Sequence, residues 1–418
     1  MINAKINASH SRLEMLPMRL ALPFLIFTEL LVWIGPIMYP IENSGLLVSY
    51  FIILNLALYW GYKSGIRKEG YSSCRIQKNW VQIILLIGLI ASFYTMIIKW
   101  QTKGIGFSLE SLINALVNPG EAYKGEAKDF VQVSILSLLF SPIRWASIPL
   151  GIYYWKKIGT FFKLVVITTV LIYISTWLGI GTRKGILDLM VFGFFLLCAT
   201  NKNLIVNPKT NRKTKLICFL GGIAFLIYFV FSNLSRSGME DFNEIVDFAR
   251  FEYREIYLNN FSTPFVIALG EVSSYLCQGY YALSLGLSLG ILPITIMGSS
   301  WATAQYMERF LGYNPIPDTY IVAIEQNFGL DRYEHWHSIY LWLANDFSFI
   351  GVPVVIFIIG YFCARTWKDC LHRENPFAFP IFAYMIIMIF YFFANNQVIS
   401  FSLEPFIGCV ILYAISKL

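Results

Sequence analysis

The sequence predicts an all-α integral membrane protein with many spans, and three observations lead to that fold class. The first is composition: of 418 residues, 57% are hydrophobic and only 14% are charged, whereas soluble domains carry about 25% charged residues. The second is a series of uncharged runs of about 20 residues, the length of a helix that crosses a bilayer. The third is that basic residues concentrate in alternate loops between these runs. Together these features exclude a soluble globular enzyme, a nucleic-acid-binding module and a disordered chain.

Ten of the apolar runs are predicted to cross the membrane as helices. They are residues 20–39, 45–62, 80–98, 131–154, 161–180, 185–200, 216–234, 347–364, 377–394 and 398–416. A further apolar stretch lies within residues 264–298, and its later part, 275–297, carries no charge. A single crossing there would place the later basic loops on the wrong side, so we expect a hairpin of two short segments or an interfacial helix. The prediction is therefore 10 to 12 spans.

The charges of the loops predict the orientation of the spans. Alternate loops and the two termini hold 20 of the 32 Lys and Arg residues, which predicts that both termini are cytoplasmic. The longest loop, residues 235–346, falls on the opposite side; it has five Arg, no Lys and 13 acidic residues, a net charge of −8. The net charge of +7 for the whole chain thus reports orientation and gives no reason to expect nucleic-acid binding.

The same pattern divides the chain into three parts. Residues 1–234 form a membrane domain with seven spans, and residues 347–418 form a segment with three spans. Residues 235–346 form the large periplasmic loop, with amphipathic and possible re-entrant helices.

The first candidate site is the turn at residues 181–185, between the fifth and sixth predicted spans. It reads Gly-Thr-Arg-Lys-Gly and puts Arg183 and Lys184 on the side where the charge rule disfavours cations. Glycines let backbone N–H groups approach a phosphate, and an arginine neutralises it, so the turn is predicted to bind an anion. The alternative is a tight turn whose cations meet lipid phosphates.

Two further arginine motifs follow the seventh predicted span. Arg236 lies in a Ser-Arg-Ser-Gly sequence at the exit of that span, where it would capture phosphate or simply solvate a helix end. Residues 241–258 have the apolar spacing of an amphipathic helix, with Asp247, Arg250 and Arg254 on one face. That arginine pair would address a diphosphate; an ion-pair ladder on a surface helix is the alternative.

The fourth candidate site is the sequence Asp-Arg-Tyr-Glu-His-Trp-His at residues 331–337, just before the eighth predicted span. It contains His335 and His337, two of the four histidines in the chain. The i, i+2 spacing does not suit a zinc pair, but a histidine among acids at a membrane surface suits general acid–base chemistry. An interfacial cluster that anchors a helix end is the alternative.

Charges within the spans form the last set. Glu29 and Arg144 lie inside predicted spans, where a charge needs a partner or a cavity. They could pair with each other, or Arg144 could line a lipid-phosphate path; Glu404 lies similarly in the last span. The seven cysteines include no CxxC pair and predict neither a disulfide framework nor a zinc site.

The segment that begins His-Ser-Ile-Tyr-Leu at His337 and continues at Asp346 as Asp-Phe-Ser-Phe-Ile-Gly resembles the C-terminal signature of the bacterial O-antigen ligase and polymerase superfamily. The layout, with many spans, a basic turn in mid-chain and one large late loop, resembles the oligosaccharide repeat-unit polymerases of the Wzy type. Two positions depart from the pattern: Ser338 stands where Asn is usual, and Ser348 where the first Gly is usual.

The resemblance implies a membrane glycosyltransferase that works on undecaprenyl-diphosphate-linked oligosaccharides at the periplasmic face of the bacterial inner membrane. It implies His337 as the base for the acceptor hydroxyl, with Asp346 or Glu334 orienting it, and neither nucleotide nor metal as cofactor. The residues implied to bind the substrate diphosphate are Arg183, Lys184, Arg236, Arg250, Arg254, Arg309 and His335. A chain-length regulator and a flippase are the implied protein partners.

The sequence leaves two other functions open. The signature is shared by ligases that transfer a finished glycan to the lipid A core. A flippase or another transporter of lipid-linked sugars is also compatible with many spans, although its charges would be expected in a central membrane cavity.

Overall fold

The structure is a computed structural model that describes residues 13–74, 76–102, 108–117, 135–201, 220–224, 226–232, 251–333 and 335–417. Within these residues the chain is all-helical, with one isolated β-bridge between Ile37 and Tyr253. The helices are α1 (Leu16–Ile34), α2 (Ser44–Arg67), α3 (Lys78–Thr102), α4 (Leu109–Val117), α5 (Ile135–Tyr154), α6 (Thr160–Gly179), α7 (Lys184–Thr200), α8 (Leu220–Ser232), α9 (Glu255–Asn260), α10 (Thr263–Ser288), α11 (Trp301–Leu311), α12 (Tyr320–Phe328), α13 (Ile339–His372), α14 (Ala378–Phe390) and α15 (Gln397–Ile415).

Each of the ten predicted spans overlaps one of these helices. Within the described ranges, six helices are long and apolar enough to cross a membrane: α1, α2, α3, α6, α13 and α15. Their outward side chains remain exposed although they are apolar; Ile52, Ile90 and Ile350 are examples. A soluble protein rarely exposes such continuous apolar surface, so the six helices indicate a polytopic membrane protein. The orientation of the helices and of the termini stays a prediction.

Helices α2 and α13 form the most extensive helix pair, and glycines bring them together. A Cβ atom at Gly61 would lie 2.0 Å from the carbonyl oxygen of Phe357, and one at Gly65 would lie 2.4 Å from that of Tyr361. Gly360 of α13 meets the carbonyl of Leu58 in the same way. Small residues four positions apart let two helix backbones approach closely, which is how helices associate within lipid.

The stretch predicted as a hairpin or an interfacial helix is different in the structure. Helix α10 runs unbroken for 26 residues from Thr263 to Ser288, so the hairpin of two short segments is wrong. The helix packs against α1 and α12, and its residues Cys277 to Gly286 are buried. Residues that looked like a weak span by hydropathy therefore form part of the protein core, because other helices cover them.

Helix α13 is interrupted near its beginning. Ser348 has φ 52° and ψ 166°, a conformation that L-residues rarely adopt, so the first turns, Ile339–Phe347, are offset from the remaining span. Ser348 is the position where the resembling families have glycine, the residue that adopts this conformation without strain. The break separates His337 and Asp346 from the long apolar part of the helix.

The predicted helix over residues 241–258 is wrong for residues 251–254 and confirmed for residues 255–258; residues 241–250 lie outside the described residues. Tyr253 forms the bridge with Ile37, and the helix α9 begins only at Glu255. Arg254 donates from Nε to the carbonyl of Gly35 at 3.0 Å and from Nη2 to that of Val32 at 3.4 Å. The arginine thus satisfies carbonyls at the C-terminal end of α1, which have no partner within the helix.

The suggested pairing of Glu29 with Arg144 is also not seen. Asn55 of α2 donates to Glu29 Oε2 at 2.7 Å. Arg144 instead interacts electrostatically with Tyr384, Tyr173 and Glu404.

The C-terminal end of α13 is fastened by a polar cluster that we call the Asp369 clasp. The Asp369 carboxylate is fully buried and accepts hydrogen bonds from the Ser72 backbone at 3.1 Å, from the Ser72 hydroxyl at 2.6 Å and from the Tyr413 hydroxyl. Arg365 donates to the carbonyls of Lys68 and Gly70 at 2.8 and 3.0 Å. The clasp ties the segment after α2 and the end of α15 to α13.

Candidate functional site

The N-terminal end of α13 meets the break between α14 and α15, residues 391–396. Asn395, in the left-handed region with φ 31°, accepts through Oδ1 from the backbone N–H of His337 at 2.9 Å and from Trp342 Nε1 at 3.0 Å. The backbone N–H of Ile339 donates to the carbonyl of Phe392 at 3.0 Å. The break therefore holds the backbone of the predicted catalytic histidine. We call this region the His337 site.

His337 is fully buried, and its imidazole makes no hydrogen bond of normal geometry at either nitrogen within the described residues. Burial and, to a lesser degree, the neighbouring His335 lower the pKa of His337 to about 3, whereas a hydrogen bond with the His335 backbone and the charge of Asp331 oppose the shift. The ring is therefore neutral at physiological pH. A neutral imidazole is the form that accepts a proton, and its two unpartnered nitrogens are available to a polar ligand.

Two more buried polar atoms without partners lie along the same break. Asn396 donates through Nδ2 to the carbonyl of Ser299 at 3.1 Å, but its Oδ1 has no hydrogen-bond partner among the described residues. Ser400 Oγ, one helical turn further along α15, lacks a partner there as well. Buried polar groups are almost always hydrogen-bonded, so a group of exceptions is typical of a site that receives a polar ligand or water.

Helix α10 closes the other side of the site. The backbone N–H of Ser338 donates to the carbonyl of Gly279 at 3.2 Å. A Cβ atom at Gly279 would lie 2.1 Å from the carbonyl of Phe393 and 2.8 Å from the nitrogen of Ser338. Only glycine allows α10 to approach both the His337 segment and the break, so the helix that was predicted as a hairpin or an interfacial element supports the site.

His335, two positions before His337, contacts α10 and not the break. Its Nδ1 pairs with Gln278 Nε2 of α10, and Gln278 Oε1 accepts from the backbone N–H of Trp336 at 3.4 Å. The side chain of His335 is therefore engaged with α10, whereas the backbone of His337 is bound to the break, so the two predicted histidines differ in their surroundings.

An aromatic series connects the histidine segment with the predicted anion turn. The Trp336 ring packs on Tyr275 with centroids 5.2 Å apart, and Tyr275 packs on Phe229 at 4.9 Å. The Arg183 guanidinium lies 5.9 Å from the Phe229 ring and is only 6% exposed. The structure thus brings Arg183 and the His337 segment into one continuous packed region, although 154 positions separate them in the sequence.

Lys184 contacts the same region through Asp188 and Tyr391. Its Nζ lies 2.8 Å from Asp188 Oδ2 and 5.0 Å from the ring centroid of Tyr391, the first residue of the break. Asp188 is 3% exposed and also interacts with Tyr173 and Tyr391. Sequence reasoning missed Asp188 because it stands alone in an apolar run; its i, i+4 spacing from Lys184 is the signal that points to the pair.

Asp346 is not placed to orient His337 through any contact that the described residues show. Its Oδ1 accepts from Thr295 Oγ1 at 2.9 Å and from the Gly298 backbone at 2.7 Å, and its Oδ2 accepts from the Ser299 backbone at 3.0 Å. These bonds fix the loop between α10 and α11. That loop supplies the Ser299 carbonyl to Asn396, so Asp346 supports the His337 site from a distance.

The remaining predicted residues are dispersed. Arg309 is exposed on α11, one turn from Tyr306, whose hydroxyl hydrogen-bonds Glu404. Arg254 is bound to α1, as described above. Arg236, Arg250 and Glu334 lie outside the described residues.

The comparisons with known proteins and the search for metal ligands give no further assignment. No group of three or more His, Cys, Asp or Glu side chains within the described ranges is arranged to hold a metal ion. The chain matches no protein-family model, no curated protein and no solved structure. The site must therefore be interpreted from its own chemistry.

Proposed function

We propose that this chain is a membrane glycosyltransferase that polymerises lipid-linked oligosaccharide repeat units at the periplasmic face of the bacterial inner membrane. It would transfer the growing glycan from undecaprenyl diphosphate to the incoming repeat unit, alongside a flippase and a chain-length regulator. The observation that carries the proposal is the fully buried His337, whose ring nitrogens make no hydrogen bond of normal geometry among the described residues, in the segment that resembles the polymerase and ligase signature.

In the proposed reaction, His337 accepts a proton from a sugar hydroxyl of the acceptor. The hydroxyl oxygen forms a bond to the anomeric carbon of the donor, and the bond from that carbon to the diphosphate oxygen breaks. The polyprenyl diphosphate leaves as the anion. The unpartnered Asn396 Oδ1 and Ser400 Oγ would hydrogen-bond sugar hydroxyls beside the acceptor.

The low pKa of His337 makes it a weak base when the site is empty. A donor diphosphate next to the ring favours the protonated form and raises its pKa, because an opposite charge nearby stabilises the imidazolium. Donor binding would thus activate the base, and the dry empty site would remain inactive toward water.

Arg183 and Lys184 are the proposed cations for the leaving diphosphate. Both lie at the beginning of α7, where the helix dipole also favours negative charge. Charge that develops on the leaving group is stabilised best by groups fixed before the reaction. Asp188 holds Lys184 in place at 2.8 Å, and aromatic rings hold Arg183.

The deciding experiment is the glycan ladder of a strain in which the gene is deleted and then complemented. Deletion is expected to leave a single repeat unit on the surface lipid; complete loss of the repeat unit would identify a ligase instead. Complementation with R183A is expected to leave the single unit, whereas K163A, a matched loss of a cation at the start of α6, restores the ladder. A normal ladder with R183A would contradict the proposed role of this arginine.

A transporter is the second candidate, and one observation favours it. Arg144, Asp188 and Glu404 lie on helices within the bundle, and charges in such positions often line a transport path. Purified protein in vesicles, supplied with lipid-linked repeat units and no ion gradient, separates the two candidates. Formation of polymer supports the transferase; translocation without polymer supports the transporter.

A further inference from the structure

The loop between α10 and α11, residues 289–300, exposes several aliphatic side chains although it is neither helical nor part of a span. Ile291, Ile294 and Ile296 are 70%, 62% and 64% exposed. At the end of α11, Phe310 and Leu311 are exposed to a similar degree. We call these two segments the apolar rim. In water, such a group of aliphatic side chains would be an unfavourable surface.

The isoleucines of the apolar rim lie in an uncharged stretch of the sequence, whereas Phe310 and Leu311 directly follow the exposed Glu308 and Arg309. No Asp, Glu, Lys or Arg occurs from residue 272 to residue 307. The acidic character of the long loop therefore comes from residues before and after this stretch. A surface without charged side chains avoids the large cost of desolvating a charge when it enters the lipid.

The hydrogen bonds of the loop place it at a defined level along α13. The Thr295 backbone N–H donates to the carbonyl of Asn345 at 2.8 Å, and Asn345 Nδ2 donates to the carbonyl of Gly298 at 3.0 Å. Asp346 binds the same loop. The loop thus lies beside the beginning of α13, immediately before its lipid-facing residue Ile350, which is 77% exposed.

The length of α13 shows where that level falls in a membrane. From Phe349 to Arg365, the first charged residue of the Asp369 clasp, the helix rises roughly 24 Å at 1.5 Å per residue. The hydrocarbon core is about 30 Å thick. With Arg365 at one boundary of the core, residues 345–349 and the loop bound to them lie close to the other boundary.

Several backbone N–H and C=O groups of the loop have protein hydrogen-bond partners, which they need where little water is present. Tyr320 Oη accepts from the Leu292 N–H and donates to the Gly290 carbonyl, both at 2.9 Å. The N–H groups of Gly298 and Ser299 are satisfied by Asp346. Non-helical backbone is tolerated at membrane depth only where protein groups satisfy it in this way.

We propose that the apolar rim inserts into the boundary layer of the bilayer at the His337 end, with its isoleucines against lipid acyl chains. The loop that carries Ser299 and Thr295 would then lie in the membrane interface and not in the aqueous space. This inference depends on the membrane spans alone and holds whichever reaction the His337 site performs.

The test is a measurement of depth by spin labels on the full-length protein in lipid nanodiscs. Cysteine replaces Ile294 or Leu311 in the rim, and Gln326, an exposed polar residue of α12, is the control position. The parent protein serves as the labelling blank, because its described cysteines are buried or half-buried. Each label is relaxed by oxygen, which concentrates in lipid, and by a water-soluble nickel chelate.

The depth parameter is the logarithm of the ratio of oxygen to nickel accessibility. We expect it to have opposite signs at the rim positions and at the control position. I294C and L311C give positive values, and Q326C gives a negative value. Negative values at both rim positions would overturn the proposal, since the rim would then face water. Exclusion of both reagents from the rim would overturn it as well, because a second protein copy would then cover the surface.

Discussion

Helix α13 carries a buried polar cluster at each end, and the two clusters are built differently. In the Asp369 clasp, both carboxylate oxygens and both terminal nitrogens of Arg365 have partners. In the His337 site, both imidazole nitrogens, Asn396 Oδ1 and Ser400 Oγ have none among the described residues. Asp369 and His337 are both fully buried, so solvent does not explain the difference between these two residues.

The difference shows how buried polar groups divide between stability and function. A buried polar group with all its bonds made holds a structure together, whereas one without partners costs roughly 1 to 3 kcal/mol. A cost of this kind persists where the group acts on something else. We therefore expect substitutions at the two ends to separate stability from activity.

The largest expected effect is the loss of activity in H337A. Removal of the base should lower the rate of polymer formation by about 10² to 10⁴-fold, because general-base catalysis contributes a factor of that size. The rate of chain extension by purified protein measures it. H337Q, which keeps most of the buried volume, should lose the rate to a similar extent while its thermal midpoint remains near that of the parent, which separates loss of the base from loss of packing. H372A, at the other end of α13, is the matched control and should keep full activity.

The opposite outcome is expected at the Asp369 clasp. D369A leaves the Ser72 N–H and the Tyr413 hydroxyl without their acceptor, which should lower the free energy of unfolding by about 3 kcal/mol. Unfolding in mixed micelles measures the change, with D318N at an exposed aspartate as the control. Equal stability of D369A and D318N would mean that the clasp does not hold α13.

The pH dependence of stability sharpens the comparison further. The pKa of His337 is about 3 in the folded protein and about 6.5 when unfolded, so the unfolded state binds the proton first as the pH falls. The contribution is fully present above pH 6.5 and is lost progressively between pH 6.5 and 3. At pH 5 the loss should reach about 2 kcal/mol. Unfolding at pH 7 and pH 5 measures it, and H337Q should lack this part of the pH response.

The smallest expected effect concerns the break that offsets the His337 end from the span. Ser348 has a positive φ that costs roughly 1 to 3 kcal/mol in a residue with a side chain. S348G should relieve the strain and raise the free energy of unfolding by about 1 kcal/mol, after the greater chain entropy of glycine is subtracted. A thermal midpoint below that of the parent would contradict the assignment of strain. S64G, within the regular helix α2, is the control and should lose stability because of the chain entropy of glycine.

Much of the helical framework was predictable, and most of the site was not. Hydropathy placed helices at all ten predicted spans, because a helix surrounded by lipid must be apolar along its length. The resemblance selected His337, and the turn at Arg183 was chosen for its cations. Asn395, Asn396 and Asp188 were missed, since isolated polar residues in apolar sequence carry no periodic signal.

The residue types in the sequence predicted which side chains are charged or polar more readily than they predicted the groups to which those side chains bind. Arg254 and Asp346 have the charge that a substrate site needs, but they satisfy carbonyl and N–H groups of neighbouring segments. Glu29 pairs with Asn55, and the predicted partner, Arg144, lies among Tyr384 and Tyr173 instead. The composition of a loop does not distinguish a side chain that binds a ligand from one that caps a helix.

The amino-acid sequence alone determined the all-helical membrane class and the approximate position of a helix at each predicted span, because these depend on local hydrophobicity. The tertiary structure alone decided which residues share the His337 site and which polar atoms there lack partners. It also decided that residues 263–288 form one packed helix, since that depends on the α1 and α12 surfaces that cover it. The physical reason is the distance along the chain over which each property is determined. The hydrophobicity that favours lipid is a property of each residue, whereas hydrogen bonds such as that from His337 to Asn395 join positions 58 residues apart.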